Sequence, residues 1–274
     1  SILPQIASGE HMMAFAHSES GARYNLNHVK TTATADGDSY RLNGHKTAVF
    51  HGAQADQLIV SARTGGATAD AEGLSLFIVD RATDGVQVQD FATHDGHRTA
   101  EVTLTDVKVS ADALLGEANK AAPHIEKAVD LAIAALCAEA VGAMEALNAT
   151  TLEYIKTRKQ FGVAIGKFQV LQHRMADMFI AAEQAKSMSI LAASEADSDD
   201  RATRREAISM AKTLVGQSAR YVGQQAVQLH GGMGVTDEMF AAHLFKRLTL
   251  INLLFGDADH HLAQVSDQLL AESA

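Results

Sequence analysis

At 274 residues the chain can form one large domain or two ordinary ones, and 47% hydrophobic residues with a mean hydropathy of -0.03 describe a globular sequence with a sizeable core. A formal net charge of -10 and a pI of about 5.7, with no cluster of Lys and Arg to reverse that sign locally, argue against nucleic-acid and anionic-membrane surfaces; small molecules or proteins remain as partners. Cys137 is the only cysteine, so no disulfide can form within the chain, and there is neither an apolar run of membrane-spanning length nor a charged-then-apolar leader; a reducing, cytoplasmic setting is expected.

Leu3 and Pro4 open a helical turn, and residues 10 to 109 then read as strands. Runs rich in Val, Ile, Thr and Phe at residues 12–15, 39–42, 58–62, 74–79, 86–88 and 101–107 are separated by turn signals such as Asp36-Gly37-Asp38, Asn43-Gly44 and Asp84-Gly85. Short strands with no helix between them predict a β-barrel or sandwich. From Gly116 the texture changes to long Ala- and Leu-rich segments, which places a domain boundary between residues 115 and 116. Helices are predicted over about 123–158, with Pro123 in the first turn, 167–196, from the Ser198-Asp199-Asp200 break to about 228, 237–253, and after 257. In the second, Phe168, Leu171, Met175, Met178, Phe179 and Ala182 recur at helical spacing and predict one apolar face. Long helices with short connections make an antiparallel bundle, so the fold class is α+β and multidomain: residues 1–115 a β domain, 116–274 a helical bundle. Leu136 and Ala138 flank Cys137 and predict a buried helical thiol.

Two connections in the helical half have the residue types that hold a ligand. Arg158-Lys159-Gln160-Phe161-Gly162 ends the first long helix; an arginine fork suits phosphate and an aromatic ring suits a base, although a basic residue at a helix C-terminus is also expected from the macrodipole alone. Gln228-Leu229-His230-Gly231-Gly232-Met233-Gly234-Val235 is a glycine-bearing corner, with Thr236 and Asp237 as N-cap candidates for the next helix. It reads either as a C-cap and turn or as a backbone platform on which a flat or phosphate-bearing ligand lies.

Three ordered motifs carry a resemblance over the whole chain: Leu42-Asn43-Gly44-His45-Lys46 in the strand half, Arg158-Lys159-Gln160-Phe161-Gly162 followed by Phe168-Gln169 and Met175-Ala176-Asp177-Met178, and Gln228-Leu229-His230-Gly231-Gly232-Met233-Gly234. Together they resemble the acyl-CoA dehydrogenases. The resemblance implies a middle β domain, a C-terminal four-helix bundle, and the absence from this sequence of the family's N-terminal helical domain. The segments Gly21-Ala22-Arg23-Tyr24-Asn25-Leu26, Ala134-Ala135-Leu136-Cys137-Ala138-Glu139-Ala140-Val141-Gly142 and Leu254-Phe255-Gly256-Asp257-Ala258-Asp259-His260-His261-Leu262 further resemble the small subunits of heteromeric members that oxidise dicarboxylic acyl-CoA thioesters such as pimeloyl-CoA.

Carried over residue by residue, the resemblance implies that Arg158, Gln160 and Phe161 reach the pyrophosphate and adenosine of an FAD held by an adjacent subunit. It implies that Gln228, Gly231 and Gly232 approach the adenosine end of the same cofactor. The family's base is a glutamate before a glycine; an ungapped count from Gly231-Gly232 puts Phe255 there, and the minority position on the first long helix falls on Ala132. Neither can take a proton. Asp130, near Ala132, is expected to be a surface carboxylate, and Asp257 is the remaining candidate for a displaced base. Ser18 stands where the family bonds the flavin, but Ala48 and Phe50 replace its Trp and Ser or Thr, and Arg23-Tyr24 replaces a Ser-Asp pair. His260 and His261 invite a metal reading, which adjacent helical positions about 100° apart do not favour. No metal is expected.

Three readings follow. The chain is the small, partly degenerate subunit of a heterotetrameric acyl-CoA dehydrogenase whose larger subunit carries the base; or a self-sufficient homotetramer with a displaced base; or a scaffold without activity. The family implies acyl-CoA as substrate and electron-transferring flavoprotein as electron acceptor.

Overall fold

The structure, a computed structural model, describes residues 2–272. The chain parts into two compact units between Glu126 and Lys127. In the first, α1 (Leu3–Ser8) precedes β1 (Met13–Ala16), β2 (Thr32–Asp36), β3 (Ser39–Phe50), β4 (Gln57–Arg63), β5 (Leu74–Asp80), β6 (Val86–Ala92), β7 (Arg98–Ser110) and β8 (Leu114–Leu115). These strands make one mixed sheet in the order β6-β7-β3-β2-β4-β5-β8, with β1 running parallel to β4. The expected strands are all present, several longer than their apolar runs, and β2 is an addition. Its sequence Thr32-Ala33-Thr34-Ala35 buries only Ala33, too little apolar surface to mark a strand.

Asn43-Gly44, expected as a turn, lies inside β3. Glycine is needed there because a Cβ would collide with the Thr31 side chain, so the signal is one of close approach. Asn43 binds across to β7: Asp106 donates its backbone N–H to Asn43 Oδ1 at 2.8 Å. Asp106 takes a left-handed φ of 49°, and the register of β3 against β7 shifts beside it, between Leu42 and Gly44. The extra residue changes the parity of β7, so that Val102 and Leu104 face inward before the bulge and Val107 and Val109 after it. The core they join is built of Leu42, Leu58, Val60, Phe77 and Val79. Each such side chain contributes about 1.5–3 kcal/mol by leaving water.

The second unit is a bundle of α2 (Ala122–Thr157), α3 (Gln169–Glu195), α4 (Arg201–His230), α5 (Phe240–Leu253) and α6 (Ala258–Glu272), with a small hairpin, β9 (Lys159–Gln160) and β10 (Val163–Ala164), between α2 and α3. Along α2, Val129, Ile133, Cys137, Ala140, Met144 and Leu147 recur three and four apart and are buried, Cys137 among them as expected. On α4, Gly216 sits against Asn252 and Gly223 against Phe245, so α5 approaches where a side chain would obstruct. Asp200 caps α4, accepting the Ala202 N–H at 3.0 Å.

Three expectations are corrected. Helix α5 starts at Phe240, because Thr236 and Asp237 do not cap it: Thr236 Oγ1 donates to Met233 O at 3.0 Å, closing the preceding turn, and Asp237 pairs with Lys246. Of the expected apolar face Met178 and Ala182 are buried, but Phe168, which precedes α3, is 38% exposed, and Phe179, one step of about 100° beyond Met178, is 60% exposed. Asp130 is fully buried between Arg204 and Arg205. No helix among the described residues is long and apolar enough to cross a membrane.

Candidate functional site

In the helical unit the Arg158 connection and the Gly231 corner form the first part of the site. Backbone N–H of Arg158 still bonds Tyr154 O, and Ile165 N–H returns to Arg158 O at 2.8 Å, so the β9–β10 hairpin is folded back onto the end of α2. Its turn is Phe161-Gly162, both left-handed, with φ of 53° and 76°. Phe161 is 91% exposed, an aromatic ring presented to solvent on a strained residue. Arg158 and Gln160 are exposed beside it.

At the other connection α4 ends at His230, and Gly231 (φ 61°) turns the chain into a 3₁₀ segment, Gly231–Val235. A Cβ on Gly231 or Gly232 would meet nothing within 4 Å, whereas one on Gly234 would strike Val227 O. The first two glycines thus leave bare backbone facing open space, and the third permits tight packing below. Gln228 is exposed on the last turn of α4. His230 is buried: Nδ1 donates to Ala226 O at 2.8 Å, and its ring packs on Tyr154 with centroids 4.4 Å apart.

The α5–α6 corner holds the counted base position. Phe255 is left-handed (φ 56°) and half-buried, followed by Gly256 at φ 115°. Lys212 Nζ donates to Ile251 O at 2.5 Å and Leu254 O at 2.9 Å, placing a buried ammonium against the negative end of α5. Burial lowers that ammonium to about 8. His261 Nε2 donates to Phe255 O at 3.1 Å. Asp257 Oδ1 accepts the His260 N–H at 2.8 Å, which makes it a cap on the first turn of α6. The His260 and His261 rings stand edge to face, 82° apart. Ala132, the alternative position, is half-buried on α2, and its neighbour Asp130 accepts from Arg204 Nε at 2.9 Å and Arg205 Nη1 at 2.6 Å.

In the strand unit Ser18 is exposed at the end of β1, its carbonyl accepting Thr47 N–H at 2.8 Å. Thr47 and Ala48 lie in a β-bulge, where Ala48 is exposed at φ 51°. Beneath them Lys46 and Glu19 form a buried ion pair that sequence reasoning did not single out. The Lys46 Nζ also donates to Ser61 Oγ, and Glu19 accepts Lys30 N–H and Thr31 N–H, tying β1, β2, β3 and β4 together. Asn43-Gly44-His45-Lys46 was visible as a motif, but its ionic partner 27 residues away was not. Phe50 is half-buried at the end of β3.

These geometries match a known class. Residues 14–107 match the model of the acyl-CoA dehydrogenase middle domain and residues 123–270 that of the acyl-CoA dehydrogenase C-terminal domain. The chain belongs to the acyl-CoA dehydrogenase family. It is 32% identical over 271 residues to a 3-(aryl)acrylate reductase of Clostridium sporogenes and 31% identical over 271 residues to the CarC subunit of the caffeyl-CoA reductase-Etf complex of Acetobacterium woodii; in both cases this covers 98% of the chain and 71% of the relative. Among solved structures, an acyl-CoA dehydrogenase from Geobacillus kaustophilus superposes with a TM-score of 0.91 at 30% identity, covering 97% of this chain and 71% of that one.

Membership implies FAD. The residues of the helical unit fit its adenosine end: the open backbone surface at Gly231 and Gly232, an exposed aromatic at Phe161 and an exposed guanidinium at Arg158 would offer a platform, a stacking face and a phosphate partner. The strand unit offers the isoalloxazine less, the Ser18 hydroxyl and the bulged backbone at Thr47 and Ala48.

Proposed function

We propose that the chain is the small subunit of a heterotetrameric acyl-CoA dehydrogenase, lending Arg158, Gln160, Phe161, Gln228, Gly231 and Gly232 to a flavin completed with a larger partner subunit. The partner supplies the base that takes the α-proton of the thioester. FAD held there would supply the oxidant for the β-hydride, and electron-transferring flavoprotein would reoxidise it, in keeping with the Etf complex of the Acetobacterium relative. A dicarboxylic acyl-CoA of the pimeloyl type is the substrate, and a reducing cytoplasm the setting.

The observation that carries this reading is Phe255. It occupies the corner where the base is counted, held there by Lys212 and His261, and an aromatic ring accepts no proton. Asp257, the displaced candidate of the self-sufficient alternative, is committed to the first turn of α6. The exposed, strained Phe161, whose ring meets Phe168 edge to face at 6.1 Å and still leaves 91% of the residue in solvent, supports a ligand from outside the chain.

The test is to purify the affinity-tagged chain alone and with the larger subunit it captures from its host. Flavin and acyl-CoA oxidation are expected only in the pair. A full flavin complement and turnover in the isolated chain would overturn the proposal, and a captured pair without FAD would point to a scaffold.

A further inference from the structure

The two arms of the FAD clamp are far apart in sequence, yet one side chain joins them. Tyr154 lies one turn before Arg158, whose N–H it accepts at 2.8 Å. Its hydroxyl donates to His230 O at 3.2 Å, the carbonyl directly before Gly231, and its ring packs 4.4 Å from the His230 imidazole. The imidazole is fixed from the other side by Ala226 O, and its Nε2 is shielded from water with no partner among the described residues. Gly234 closes the assembly, since a Cβ there would press on the His230 Cβ and Val227 O.

We infer that Tyr154 is a positioning residue that couples the Phe161 hairpin to the Gly231–Gly232 backbone, so that the two arms are held ready for FAD as one unit. The claim rests on the proposed clamp and goes beyond it, because Tyr154 touches no cofactor atom in that reading. It acts through the end of α2 and through the His230 carbonyl. A clamp assembled before the ligand arrives loses less entropy on binding than two loose turns.

His230 takes part through its ring face and its backbone. Its Nε2 has no partner among the described residues, while its Nδ1 holds the ring on Ala226 O, so the imidazole itself belongs to the coupling.

The experiment uses the assembly captured by the full chain and reads the FAD dissociation constant together with amide hydrogen exchange. Tyr154→Phe keeps the ring and deletes the hydroxyl, and it should weaken FAD about three- to tenfold, the range of one neutral hydrogen bond. Protection should fall together at Lys159–Gly162 and at Gly231–Gly234, with the melting temperature of the unit preserved. Arg158→Ala serves as the reference. If it leaves FAD binding unchanged, the clamp reading itself fails. If it weakens FAD while Tyr154→Phe does not, or if Tyr154→Phe loosens one turn alone, the coupling inference is overturned.

Discussion

Lys46 Nζ lies 2.7 Å from Glu19 Oε1 with both side chains withdrawn from water. Burial pushes the Glu19 carboxyl up, but the charge and hydrogen bond of Lys46, with those of Thr31 and Lys30, outweigh it and hold the carboxyl below its ordinary value. The pair anchors the backbone under Ser18 and the Ala48 bulge. Removing one partner strands the other charge, so Glu19→Gln should cost about 3 kcal/mol or more in urea unfolding. Replacing both partners with Glu19→Leu and Lys46→Met should recover most of that loss; a single substitution with no effect would contradict the account.

Acid should unfold the protein through its buried histidines. Burial, with the Lys46 charge adding to it, lowers His17 from 6.5 to about 4, and burial lowers His261 to about 3. As pH falls below 6.5 the unfolded chain takes up protons that the folded chain refuses until near 4. The stabilisation is therefore complete above pH 6.5 and is lost progressively on the way down to 4. Melting temperatures across this window should decline, and His17→Phe, which keeps the stack on Phe15, should flatten the decline. An identical slope in the variant would show that His17 is not a source.

Cys137 is buried on α2, and burial raises its thiol to about 11. The folded protein should not react with a thiol-disulfide reagent at neutral pH, and one equivalent should react on unfolding. Rapid labelling of the native chain would place Cys137 in an opening that the packing does not contain.

Phe161 makes its case by what it does not stabilise. At 91% exposure and a φ of 53°, Phe161→Gly should leave the chain as stable or more stable, by up to about 1 kcal/mol, while weakening FAD retention in the assembly. Lower stability with unchanged flavin would assign the ring to folding instead.

Composition made the bundle legible: the long Ala- and Leu-rich run of α2 announces a helix without reference to any other, and Val129, Ile133 and Cys137 prove to be its inner face. The glycine corner was legible as a corner for a similar reason, since the turn and the bare backbone at Gly231 and Gly232 are local features. What stayed hidden depends on partners distant in sequence. Asp130 reads as a surface carboxylate until Arg204, 74 residues on, is brought against it. Tyr154 reads as one more helical residue until His230, 76 residues away, arrives at its hydroxyl. Asn43-Gly44 misled because the same glycine serves a turn and a close approach, and only Thr31 on the adjacent strand distinguishes them.

The central claim is that this chain supplies binding residues and no base. It is tested most directly by the acyl-CoA oxidation rate of the captured assembly carrying Asp257→Asn in this chain, with flavin content measured alongside. The rate should equal that of the unaltered assembly. A loss of about a hundredfold or more with FAD retained, the size expected when a general base is removed, would contradict it.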